Sequence, residues 1–310
     1  MSTAQTILAS VTGGAAGNGQ VVVEPPGTGE GYWAGGPSAV FHDGTYWLAY
    51  RLRRPVDDGR GYANVIARSE DGVRFHTVAT LTSEQFDSAS LERPALMPLA
   101  DGTWRLYVSA ATTGTKHWWV EAVDAPSPAE LPEGKRTVVL PGDEATAAWK
   151  DVVVHHSDAD GGGWQLWACR HPLDGGDNEA DRMSSHYFTS DDGLTWDEMG
   201  AALTPTAGTW NARGTRIVSV ISEGDQWIAF YDGRASADEN WHERTGYALG
   251  RTPARFAAAA GPTPAGHTAR YLSVATVPAG YRIYWEASRE DGSHDLRTAY
   301  VPRPESESQS

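Results

Sequence analysis

The 310-residue chain has one cysteine, only six phenylalanines and no apolar run that approaches membrane-spanning length. A single Cys169 excludes an internal disulfide, and no Cys/His cluster has metal-ligand spacing, so neither a metal nor any other cofactor is expected. Cys169 reads as a small buried residue. Positive charge is also scarce: 25 Lys and Arg stand against 40 Asp and Glu, a net charge of −15, which argues against nucleic acid or an anionic membrane as a partner. The opening MSTAQTILASVTGG lacks the basic start and long apolar core of a secretory signal, so a cytoplasmic location is expected. Helix-period stretches of useful length are missing too, and the chain reads as one all-β domain large enough to bury a sizeable core.

What the chain does have is a repeat. Five phrases, each a tight Gly-containing turn followed by a short aromatic and β-branched run, align on Leu48, Leu106, Leu166, Ile228 and Ile283, at spacings of 58, 60, 62 and 55 residues. An apolar run precedes each phrase, at 37–41, 94–99, 151–156, 215–221 and 270–277, and a third follows it, as in 63–69 and 117–123. Five near-equal units of this kind predict a five-bladed β-propeller over 20–302, with the earlier runs as innermost strands. The run QVVV from Gln20 is expected to close the last blade and so remove its open edge. Residues 1–19, rich in Gly, Ala and Ser, and the polar tail 303–310 are expected to be mobile. The phrases SEDGVRF (69–75) and SDDGLTW (190–196) resemble the Asp-box hairpins of sialidase-like propellers, a stabilising turn.

The repeat also maps a ligand face, where innermost strands begin and second strands of the blades end. Arg51, Arg53, Glu92, Arg93, Lys150, Asp151, Arg170, His171, Arg213, Asp232, Arg234, Arg270 and Glu286 fall there. Cations outnumber carboxylates in this set, which suggests an anionic ligand group held by arginine forks; the bland alternative is mutual neutralisation around the channel. Trp33, Trp149, Trp210 and Trp241 sit in neighbouring loops, as sugar-stacking platforms or as packing between blades.

At these residues the chain resembles glycoside hydrolase family 130, the mannoside phosphorylases and related mannosidases. GPSAVFHDGTYWLAYRLR in blade 1, AWKDVVVHHSDADGGGWQLWACRHP in blade 3 and GDQWIAFYDG in blade 4 carry the resemblance, which spans roughly residues 33–251. It implies a five-bladed propeller acting on glycosides, with Lys150, Asp151, Arg170 and His171 at matching positions. The chain departs where that family has Glu-Asp-Pro-Arg, its Asp being the general acid: here stands Glu92-Arg93-Pro94-Ala95. The family's Tyr-His-Gly is Tyr231-Asp232-Gly233. Both changes argue against phosphorolysis.

The leading expectation is therefore glycoside cleavage by a rearranged carboxylate pair drawn from Glu92, Asp151, Asp232 and Glu286. Glu92 is the expected acid, its pKa raised by an apolar setting, and Asp151 the base, kept ionised by Lys150. Arg93 is expected to hold an anionic group of the sugar, with Arg51, Lys150, Arg170, His171, Arg213 and Arg234 as further substrate-binding residues. Two rivals remain: a binding propeller without catalysis, and a lyase or isomerase acting on a uronic acid with His171 or His242 as base.

Overall fold

A computed structural model describes residues 1–12, 19–157, 163–175, 182–261 and 269–303. After helix α1 (Thr3–Thr12) and strand β1 (Gln20–Val23), the strands fall into blades of four. Blade 1 is β2 (Trp33–His42), β3 (Thr45–Arg53), β4 (Gly61–Ser69) and β5 (His76–Thr82); blade 2 is β6 (Ala95–Pro98), β7 (Trp104–Ala111), β8 (Trp118–Ala125) and β9 (Lys135–Leu140). Blade 3 is β10 (Ala147–Ser157), β11 (Gly163–Pro172), β12 (Ser184–Ser190) and β13 (Asp197–Leu203); blade 4 is β14 (Gly214–Glu223), β15 (Gln226–Arg234), β16 (Arg244–Thr252) and β17 (Arg255–Ala260). Blade 5 has β18 (Ala269–Val277), β19 (Gly280–Ser288) and β20 (His294–Pro302), and β1 pairs antiparallel with β20 as its outer strand. The fold is the five-bladed propeller that the repeat predicts, closed as the run from Gln20 suggested.

The innermost strands are bulged near the axis. Register shifts fall between Gly35 and Ser38, Lys150 and Val153, Ile217 and Ser219, and Arg270 and Ser273. At three of these bulges Gly36, Asp151 and Tyr271 hold φ of 58°, 56° and 51°. Only glycine adopts that conformation without strain, so Asp151 and Tyr271 are positions where surrounding structure overrides a local cost.

A bulge turns carbonyls out of the ladder, and buried carbonyls need donors. Arg93, just before β6, supplies them: Nε donates to Pro37 O at 3.1 Å, Nη2 to Val218 O at 3.0 Å, and Nη1 to Val152 O. One guanidinium thus ties the bulges of blades 1, 3 and 4 across the axis. Around it, serines following three bulges accept from the next inner strand, Ser38 from Leu96 N (3.1 Å), Ser219 from Val274 N (3.2 Å) and Ser273 from Ala39 N (3.0 Å).

At the opposite, outer side, the Asp-box turns dock onto neighbouring blades. Asp71 and Asp192 each accept two backbone N–H bonds within their own turn, which holds both carboxyls below the usual range, Asp192 at about 2. The turn carbonyls are then clamped by an Arg-x-Tyr pair: Arg105 and Tyr107 take Asp192 O and Gly193 O, and Arg282 and Tyr284 take Asp71 O and Gly72 O.

The mobile arm expected over residues 1–19 is corrected for residues 3–12. Ala4, Ile7 and Val11 lie on one face of α1 at helical spacing and join a core cluster with Val218, Phe230, Tyr247 and Tyr271. The run was too short and too Ser/Thr-rich to stand out as a helix, and tertiary packing supplies what propensity does not. Residues 13–18 and, apart from Arg303, the expected tail lie outside the described residues. Ile7 is fully buried, so Ile7→Ala is expected to cost about 2–4 kcal/mol in urea unfolding; an unchanged midpoint shows that the arm is loose in solution.

Candidate active site

The second strands of the blades end on the same face on which the first strands begin, and their terminal residues surround a cavity of about 460 Å³ at the mouth of the channel. Eight cations line it: Arg51 and Arg53 from the end of β3, Arg60 from the β3–β4 loop, Lys116, Lys150, Arg216, Arg234 and Arg270. Two carboxylates line it, Glu92 and Glu243, from the walls of blades 2 and 4.

Below the mouth the charges form a lattice. Arg216 is its hub, with Nη2 2.9 Å from Asp232 Oδ2 and 3.7 Å from Glu243 Oε1, Nη1 3.5 Å from Asp151 Oδ2, and its guanidinium 3.8 Å over the Tyr271 ring. Arg270 joins Glu243 (Nε, 2.9 Å) to Glu286 (Nη1, 3.4 Å). Arg51 bridges Glu286 (3.3 Å) and Glu92, and Lys150 Nζ stands 3.9 Å from the other Glu92 oxygen. Gly35 belongs to this lattice by what it lacks: a Cβ there would stand 1.6 Å from Glu286 Oε2.

These pairings set the ionisation. Glu243 is held at about 2: burial pushes it up, and Arg270, Arg216 and Arg234 outweigh that. Glu286 is held low by Arg270, His294 and Arg51 against its burial, and Asp151 by Lys150 and Arg216. Asp232 is raised, because burial and nearby Glu243 exceed the help from Arg216. Lys150 falls to about 8 through burial and the neighbouring Arg216 and Arg60. Arg53 falls to about 9 through burial and the nearby Arg51, Arg60 and Arg270.

Of the carboxylates named from sequence, Glu92 alone reaches the cavity. Asp151, Asp232 and Glu286 are fully buried beneath it as counter-ions, so direct catalytic roles for these three are corrected. The expectation of an apolar setting for Glu92 is corrected as well, since Arg51 and Lys150 stand on its two oxygens. Among the proposed binding residues, Arg51, Lys150, His171, Arg234 and Trp241 line the cavity. Arg93 does not: all three of its guanidinium nitrogens are spent on carbonyls at the axis.

Arg170 and Arg213 lie outside the cavity lining. Trp149 packs edge-on against His186 and Phe188, and Trp210 stacks on Tyr231 at 5.3 Å, so both are blade packing. Trp33, 2 % exposed, lies under the Arg53 guanidinium at 4.0 Å. His242 is exposed and away from the cavity. Sequence reasoning passed over Glu243, Arg216 and Arg60. Glu243 stands in ADENWHERTG, where the tryptophan drew the attention, and Arg216 is the second residue of the 215–221 run that the apolar pattern marked as an inner strand.

The fold has solved counterparts. A thermostable family-43 glycoside hydrolase superposes with a TM-score of 0.68 at 14% identity, covering 92% of this chain and 94% of that one. An α-L-arabinofuranosidase from Lactobacillus brevis gives 0.64 at 13% identity over 86% and 90%, and a GH43_1 enzyme from Xanthomonas citri complexed with xylose gives 0.62 at 12% over 91% and 90%. The fold is that of five-bladed propeller glycosidases. No protein-family model and no curated protein matches the sequence, so the likeness at these identities concerns the fold. The neighbours named here are described as family-43 and arabinofuranosidase enzymes, so the motif resemblance to family 130 is corrected to a likeness of fold.

Since Arg93 serves the axis, Arg93→Ala leaves three buried carbonyls without donors. It is expected to lower stability by about 3–5 kcal/mol in chemical unfolding; near-wild-type stability with impaired ligand binding reverses the assignment.

Proposed function

We propose that the protein is a glycosidase-type enzyme acting on a saccharide that carries an anionic group, with Glu92 and Glu243 as its working carboxylates. The observation that carries this reading is the cavity lining: among the described residues, these two alone bring carboxylates to the mouth, from facing blades, amid eight cations. Glycosidic cleavage needs a proton delivered to the leaving oxygen and a carboxylate on the other side of the ring. Glu243, ionised down to about pH 2, suits the second task, either attacking the anomeric carbon or taking a proton from water.

The first task falls to Glu92 together with Lys150. Lys150 keeps its proton up to about pH 8, beside the Glu92 oxygen. As the leaving oxygen gains basicity, Glu92 passes it a proton that Lys150 supplies; the proton that Glu243 takes from water is released to solvent, and Lys150 regains one from solvent, which balances the cycle. The family-130-like phrase of blade 3 supports this reading, because Lys150 and His171, which belong to it, both line the cavity. Neighbours described as acting on or holding arabinose- and xylose-type sugars support carbohydrate as the ligand class. The pairing of both carboxylates with arginine favours a second reading, a binding module that turns nothing over.

Glu92→Gln and Glu243→Gln are each expected to lower kcat by about 10²–10⁴-fold on an unactivated glycoside. Full turnover in either variant removes that residue from the chemistry, and no turnover by the native protein on any glycoside panel leaves the binding module. Lys150 acts in its protonated form, so kcat/KM is expected to fall as pH rises through about 8. Lys150→Met should abolish that alkaline limb; a limb unchanged in this variant belongs to another group.

A further inference from the structure

Among the eight cavity cations, Lys116 is exposed to solvent, and two others differ from the remaining five. Arg51, Arg216, Arg234, Arg270 and Lys150 each have a carboxylate within ion-pair reach. Arg53 has no carboxylate or hydrogen-bond partner among the described residues, although it is only 4 % exposed. Its guanidinium is held by rings, with Trp33 at 4.0 Å and Trp241 at 4.9 Å, the two indoles meeting edge to face. Arg60 likewise has no side-chain partner among the described residues, and its Nε is buried.

The chain goes to some length to place Arg60 there. The β3–β4 loop folds back through Arg60 N to Pro55 O and Arg54 N to Arg60 O, and Arg60 itself takes φ of 49°, a conformation costly for a side chain of this size. Burying the Arg53 guanidinium next to Arg51 costs free energy that the two indole faces offset only in part, and no carboxylate stands within ion-pair reach of it or of the half-buried Arg60 among the described residues. Strain and unpaired charge at one corner of a cavity are the marks of a preformed anion subsite.

We propose that Arg53 and Arg60 together receive the carboxylate of an acidic sugar, and that Trp33 and Trp241 hold the Arg53 fork in position for it. This deepens the glycosidase reading by naming the substrate's charged group and the residues that select it. A planar carboxylate matches the guanidinium forks and adds one negative charge beside Glu92, whereas a phosphate dianion adds two. The cavity, at about 460 Å³, lies in the size range of roughly 300–1,000 Å³ usual for small-molecule sites.

The test is binding, measured by calorimetry with D-galacturonate and D-glucuronate against galactose and glucose, with sulfate and phosphate as competitors. At least one uronate is expected to bind about tenfold or more tightly than its neutral counterpart, and Arg60→Gln is expected to weaken it by about 10–100-fold. Arg53→Gln should do the same; if that variant fails to fold, Arg60→Gln, in a loop, decides alone. Arg74→Gln, in the 69–75 Asp-box turn and outside the cavity lining, should change nothing. Equal binding of acidic and neutral sugars, no binding of any acid, or uronate affinity intact in folded Arg60→Gln overturns the proposal. Equally strong displacement by sulfate or phosphate overturns the carboxylate assignment. Uronate binding that depends on Arg60 without any glycoside turnover removes the hydrolase reading and leaves this subsite standing.

Discussion

The single guanidinium of Arg93 at the propeller axis is the contact on which the rest of this structure depends. Inner strands in a five-bladed ring crowd toward the centre, and here they relieve the crowding with bulges that leave carbonyls facing the channel. A channel of water could solvate them; instead one arginine spans three blades. The bulges in turn aim Asp151 and Tyr271 upward into the charge lattice, with Asp151 Oδ2 accepting from Tyr271 OH at 3.3 Å. The axis and the floor of the cavity are therefore one construction, and loosening the first displaces the second.

The lattice above it costs much of what it gains. Buried ion pairs lose hydration on both sides, so alternating Arg216, Arg270 and Arg51 with Asp232, Glu243 and Glu286 is poor value as stability alone. What such a lattice does supply is orientation, because each fork is fixed by more than one partner before any ligand arrives. The opposed shifts of neighbouring groups follow from position in the lattice: Glu243 touches three arginines and is held at about 2, while Asp232, sharing Arg216 with it, is raised.

Fold was legible in the sequence because a propeller repeats its turns and hydrophobic runs at fixed intervals, and each interval is a local signal. The outer closing strand at Gln20 was legible for the same reason. The site was legible only as a face. Strand ends named the correct end of the molecule, yet could not say which side chains rise to the mouth and which stay beneath it, because that depends on bulges and loops with no periodic signature. Asp151 illustrates the difference: it lies in an inner strand as expected, but at the bulge, with positive φ, its carboxylate is spent on Arg216 and Tyr271 beneath the cavity. Glu243 and Arg60 sit in loops whose course only tertiary contacts decide.

Register between blades shows how one scaffold was varied to build this site. Ser38, Ser219 and Ser273 pair with Ala49, Phe230 and Tyr284, which aligns Leu48 and Ile283 with Ala229, one residue beyond the Ile228 that the sequence repeat suggested. Three residues after each aligned position stand Arg51, Ser109, Cys169, Asp232 and Glu286, all buried at the level of the floor. Two residues further stand Arg53, Ala111, His171 and Arg234, all lining the cavity wall, and Ser288, which does not. A strand returns the same face every second residue, so these two slots recur in every blade on a repeated turn and core. Charge chemistry on the second strands is thus confined to two positions per blade, and the rest comes from the loops and from the inner strands β10, β14 and β18. Within that pattern Arg53 is the wall arginine that no carboxylate reaches within ion-pair distance among the described residues, and the Trp33 and Trp241 rings take the place that a counter-ion has at Arg234.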